Sequence, residues 1–91
     1  MSAKEPVYVV CNNGVFVLPE AVYTALARQV PKQFVYLRED EDTLTIATNR
    51  LPGGRKRQLN TYYRSPLFRT ATKLAIVDLP GGLQIMAVEW R

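Results

Sequence analysis

The sequence has no histidine and a single cysteine, Cys11. A lone thiol forms no intramolecular disulfide framework, and without histidine the commonest nitrogen ligand for zinc is missing, so no structural metal and no cofactor are expected. The bland reading of Cys11, a small buried hydrophobe at a strand end, is the preferred one. Acid–base chemistry at neutral pH rests most often on histidine or on carboxylates with displaced pKa. Outside the start of the chain and one acidic run, the acids are Glu20, Asp78 and Glu89, and their spacing pairs none of them across a substrate. The chain is therefore not expected to be an enzyme.

Long apolar runs are also missing. Nothing approaches the roughly eighteen consecutive apolar residues of a spanning helix, and Met1 to Pro6 is polar with no charged-then-apolar signal pattern. The expectation is a soluble, cytoplasmic protein with no membrane association. The Gly-rich run ending in Gly-Lys-Ser/Thr that cradles phosphates of a nucleotide does not occur, so no small-molecule ligand is expected. Glu39-Asp40-Glu41-Asp42 lacks the alternate ligands, central Gly and distal Glu of a calcium loop and reads as a solvated turn.

What is present is a chain of 91 residues, 47% of them apolar, which is one domain over 1–91 with a modest core. So small a domain buries only about 60–65% of its unfolded surface, which favours completion by a second copy, a homodimer. Two runs rich in β-branched and aromatic residues, Val7 to Cys11 and Val15 to Leu18, flank Asn12-Asn13-Gly14 and predict a first hairpin. Pro19 and Glu20 open a helix over about 19–30, with Val22, Ala25, Leu26 and Val30 on its buried face, Tyr23 and Arg28 outward or towards a partner, and Pro31 as its stop. Gln33 to Arg38 and Thr43 to Thr48 predict a second hairpin with the acidic run at its tip.

Leu-Pro-Gly-Gly occurs twice, at 51–54 and 79–82, and both copies should reverse the chain. The second joins Leu74 to Leu79 with the alternating Leu83 to Trp90. The first should join the Thr43 strand to a strand carrying Arg57, Leu59, Thr61 and Tyr63. The fold class is α+β: a mainly antiparallel sheet of six or seven short strands, able to curl into a partial barrel, with one helix.

Charge is unevenly spread. Residues 1–49 hold four basic and six acidic side chains, whereas residues 50–91 hold eight basic and two acidic ones. From Arg50 to Lys73 there are seven cations and no acid, a field that attracts a polyanion. This points to nucleic acid, DNA ahead of RNA, with Arg50, Arg55, Lys56, Arg57, Arg64, Arg69 and Lys73 on phosphates and Tyr62 available for stacking. Because adjacent strand residues face opposite ways, only one of Tyr62 and Tyr63 should be exposed. Two other readings compete: an assembly module docking its basic segment on an acidic partner or on Glu39 to Asp42 of its own copy, and an RNA-cleaving toxin-like enzyme using Tyr62, Tyr63, Arg64 and Arg69.

The order strand, Gly14, Val15-Phe16-Val17-Leu18-Pro19, Glu20-Ala21-Val22, helix, strand, acidic turn, Leu44-Thr45-Ile46 resembles the AbrB/SpoVT swapped-hairpin family over roughly residues 7–48. That resemblance implies an interlocked dimer that binds DNA, as small transcriptional regulators and antitoxins do. Val15 stands where the family commonly presents a basic residue, and Val30-Pro31-Lys32 replaces its Gly-Asp turn. The resemblance thus implies that DNA contact shifts to the basic second half.

Overall fold

The computed structural model describes residues 5–91, so most of the polar start of the chain lies outside the described residues. Eight strands and one helix follow one another: β1 (Val7–Val10), β2 (Val15–Val17), α1 (Glu20–Gln29), β3 (Phe34–Asp40), β4 (Thr43–Ala47), β5 (Arg55–Gln58), β6 (Tyr62–Arg64), β7 (Ala71–Leu79) and β8 (Gly82–Trp90). A short 3-10 turn, Pro66–Phe68, lies between β6 and β7. Six strands form an open antiparallel sheet in the order β1-β7-β8-β4-β3-β5, and β2 and β6 form a separate two-stranded ribbon. The α+β class holds, with a mostly antiparallel sheet and a single helix.

The two hairpins with the clearest apolar alternation form as expected. In the first, Leu37, Ile46 and Leu44 share the face that also carries Leu83, Ile85 and Ile76, through the registers Leu37↔Ile46, Ile46↔Leu83, Leu44↔Ile85 and Ile76↔Ile85. That face is the core side: Ile46 and Ile85 are fully buried, as are Val35 and Leu74. The ribbon closes over it with Phe16, whose ring lies 6.0 Å from Phe68 edge-on and 6.2 Å from Tyr63. Burying these side chains removes apolar surface from water at about 25 cal/mol per Å², the term that holds the two sheets together.

The helix begins after Pro19, which acts as its N-cap residue and accepts from the Tyr23 N–H at 2.9 Å. Its buried stripe is shifted from the expected one. Val22, Tyr23, Leu26 and Ala27 pack on the core, while Ala25 is exposed. Tyr23 therefore points inward, contrary to expectation, because its larger apolar ring area outweighs the single methyl of Ala25.

Two expected pairings do not form. Asn12-Asn13-Gly14 does turn, with positive φ at Asn13 and Gly14 and reciprocal Asn12–Val15 backbone bonds at 3.0 and 2.9 Å. The strands on either side then part: β1 pairs with β7 and β2 with β6. The first Leu-Pro-Gly-Gly likewise turns, with the Gly54 N–H donating to Leu51 O at 2.8 Å, but β5 pairs with β3 rather than with β4. The strand expected to run from Arg57 to Tyr63 is broken into β5 and β6, which belong to different sheets.

Candidate functional site

The edge strand β5 reads Arg-Lys-Arg-Gln, and all four residues are exposed. Its register sets their directions. Arg55 lies opposite Leu37 and Arg57 opposite Val35, on the core side of the sheet margin, while Lys56 lies opposite Tyr36 on the outer face. There the Lys56 ammonium sits 4.5 Å from the Phe34 ring centroid. Arg57 folds back so that its Nη1 donates to Lys56 O at 3.3 Å.

Next to β5, the ribbon delivers the second group of cations. Within β6 the residues alternate as expected, with Tyr62 58% exposed and Tyr63 8% exposed, so Tyr62 and Arg64 share the ribbon's solvent face. Ser65 is buried and anchors the turn that follows. Its Oγ donates to Glu39 Oε2 and accepts from the Leu67 N–H at 3.2 Å, while its own N–H donates to Gly14 O at 2.9 Å. Gly14 has φ +82°, and a Cβ there would stand 2.5 Å from Ser65 O, so only glycine allows this approach. The Gly14–Ser65 contact is what holds Arg64 and Arg69 on either side of one turn.

These pieces line three concavities. A cleft of about 280 Å³ has Arg38, Arg55 and Arg64 around it, with Glu39 as its one carboxylate. It shares Arg64, Ser65 and Pro66 with a second cleft of about 430 Å³ that adds Asn13 and Arg69. A third, of about 390 Å³, lies around the sheet margin on the outer face with Tyr36, Lys56 and Arg50, and meets the first only at Gly53. Among the described residues the ion pairs are Arg38–Asp40 at 2.8 Å and Lys73–Glu89 at 3.4 Å. Arg50, Arg55, Lys56, Arg64 and Arg69 therefore line the clefts without a carboxylate partner among those residues, and their charge outweighs that of Glu39.

Lys73 does not join them. It stands on β7, four strands from β5, which is about 19 Å across the sheet at the usual strand spacing. There it is paired with Glu89 and lies 4.9 Å from the Tyr8 ring centroid. In its place the fold supplies a cation that the choice of site residues passed over. Arg91 Nη2 donates to Arg69 O at 3.1 Å, and the Arg91 N–H donates to Thr70 O at 2.9 Å, so the chain returns its last guanidinium to the Arg69 end. Arg38 was also passed over; it lies in the acidic half of the sequence but donates to Pro52 O at 3.1 Å beside the first glycine turn.

Tyr63 is engaged rather than poised. Its Oη accepts from the Asn60 N–H at 3.0 Å, and burial pushes its pKa up, only partly offset by that hydrogen bond, so it stays a neutral phenol at neutral pH. Cys11 is buried as expected, with Sγ 3.6 Å from Phe68 O, and burial raises its pKa as well. No group of three His, Cys, Asp or Glu side chains gathers among the described residues, and none of their helices is long and apolar enough to cross a membrane. Comparison with protein-family models, with curated proteins and with solved structures finds no match for this chain.

Proposed function

We propose that the protein binds nucleic acid, DNA in the first instance, by seating backbone phosphates along the clefts lined by Arg69, Arg64, Arg55, Lys56 and Arg50. The observation that carries this reading is the gathering of Arg55, Arg64 and Arg69 along two clefts that share a wall, with Lys56 and Arg50 around the sheet margin on the outer face, all without ion-pair partners among the described residues. Guanidinium forks match phosphate oxygens bidentately, and counterion release on their binding supplies the affinity. Tyr62 stands on the same face of the ribbon as Arg64, two residues away, within reach of a base whose phosphate Arg64 holds.

The acidic tip favours this over assembly through acidic-to-basic contacts. Asp40 is held by Arg38, Glu39 accepts from Ser65 and Asp42 accepts from Thr43, so three of the four acids are engaged within their own chain. Fluorescence anisotropy with single- and double-stranded DNA and RNA over a salt series tests the proposal. With four or five phosphates neutralised on duplex DNA, log K falls against log salt with a slope of about −4 to −5. Arg55→Ala and Arg64→Ala each reduce that slope by about one. Binding that is weak and indifferent to salt for all four probes would falsify it.

A further inference from the structure

The two edges of the six-stranded sheet are chemically opposite. The β5 edge carries three consecutive cations, which would oppose like charge if it met a second β5. The β1 edge reads Val-Tyr-Val-Val, with Tyr8 54% and Val10 79% exposed. On the outer face beside it, Lys73 and Glu89 neutralise each other at 3.4 Å.

The backbone of β1 fixes which groups are open. In an antiparallel pair, successive residues direct their N–H and C=O alternately toward and away from the partner strand. The Cys11 N–H donates to Thr72 O at 3.0 Å, on the β7 side, so Val9 and Val7 also face β7 while Tyr8 and Val10 face outward. Beyond these two the outward edge stops. Pro6 has no N–H, and Asn12 has both backbone groups committed to Val15.

We infer that a second copy of this chain pairs on β1 in antiparallel fashion about a two-fold axis through Val9, placing Tyr8 opposite Val10 of the partner subunit. In that register each Tyr8–Val10 pair exchanges both N–H···O bonds, so every outward group of the edge is satisfied. The register shifted to bring Tyr8 opposite its own copy would set Val10 against Pro6, which has no N–H to donate. The chosen register also keeps both outer faces on one side and lays each exposed tyrosine ring beside a valine, an aromatic to β-branched cross-strand pair. The interface is isologous, and it joins the two sheets into one with a cationic β5 edge at each end.

Sedimentation velocity of the full chain without nucleic acid, from micromolar to tenth-millimolar concentration, reads the association directly. The expected species has twice the 10.3 kDa mass of one chain. It persists from physiological to molar salt, because backbone bonds and apolar contacts hold it. Val10→Pro removes an outward N–H while leaving the β1–β7 ladder intact, a position where an edge strand tolerates proline. It should weaken the dimer at least about tenfold with unchanged circular dichroism. Val9→Cys places two thiols across the axis at about 4.5 Å between Cα atoms and should oxidise to a covalent dimer, whereas Tyr8→Cys should not. A monomer at every concentration, a dimer dissolved by salt, or a dimer whose covalent trapping occurs at position 8 instead of 9 overturns the inference.

Discussion

The two Leu-Pro-Gly-Gly segments are identical in sequence and nearly so in backbone, with φ +75° at Gly53 and +76° at Gly81, yet they do different things. The second closes a hairpin in which Leu79 lies opposite Gly82 and β7 runs back along β8. The first sends the chain from β4 to the far side of β3. The cause lies outside the turn. β4 already has β3 on one side and the apolar β8 on the other, so no edge of β4 is left for β5. Nor does Arg-Lys-Arg-Gln offer an apolar face to bury beside Leu44 and Ile46. A turn decides that the chain reverses; vacancy and burial decide what it reverses onto.

The largest difference between the two turns is expected at their last glycines. A Cβ on Gly82 would stand 2.1 Å from Ile46 O, inside the β4–β8 ladder, whereas one on Gly54 would meet Leu51 O of its own turn at 2.9 Å. Gly82→Ala should cost about 3 kcal/mol or more in chemical denaturation, and Gly54→Ala about half as much. Equal losses would mean that the surroundings of the two turns differ less than their strand partners imply. Gly53→Ala and Gly81→Ala sharpen the comparison from the other side. Both force an L-residue to positive φ with only ordinary contacts around it, so each should cost about 1–2 kcal/mol, and the two costs should agree.

Binding separates the strands that leave the two turns. Replacing Arg55 on β5 lowers the salt slope of DNA binding by about one, while Lys73→Ala on β7, whose ammonium already has Glu89, changes it by much less. The smallest expected effect is on alkaline stability. Tyr63 and Cys11 are both raised by burial above their ordinary 10.0 and 9.0, so the folded state holds protons that the unfolded chain releases. Their contribution is complete below those ordinary values and is lost as pH rises above them through the raised folded values. Urea midpoints should fall first through Cys11 and then through Tyr63, and Cys11→Ala should remove the earlier step.

Much of the fold was legible because several signals are local. Pro19 and Pro31 bound the helix, both Pro-Gly pairs turn, and the alternation of Leu44 with Ile46 and of Leu83 with Ile85 names the buried face. What was not legible is tertiary. Asn12-Asn13-Gly14 has good hairpin chemistry, but β1 gains more apolar burial against Leu74 and Ile76 on β7 than three-residue β2 offers. For the site, the charge count located the cationic segment. Only register showed that Lys73 faces away beside Glu89, and only the return of β8 brought Arg91 to Arg69.

The pairing of β1 with β7 also constrains how the molecule comes into being. Val7 meets Ile76, and Val10 meets Lys73, partners roughly 65 positions later in the chain. At about 5–20 residues per second, several seconds of translation separate the two. Throughout that interval Val-Tyr-Val-Val emerges from the ribosome as a sticky segment with nothing to bind, and high contact order makes its capture a late folding event. Chaperone occupancy on the nascent chain should therefore concentrate on the amino-terminal strand and end when β7 emerges.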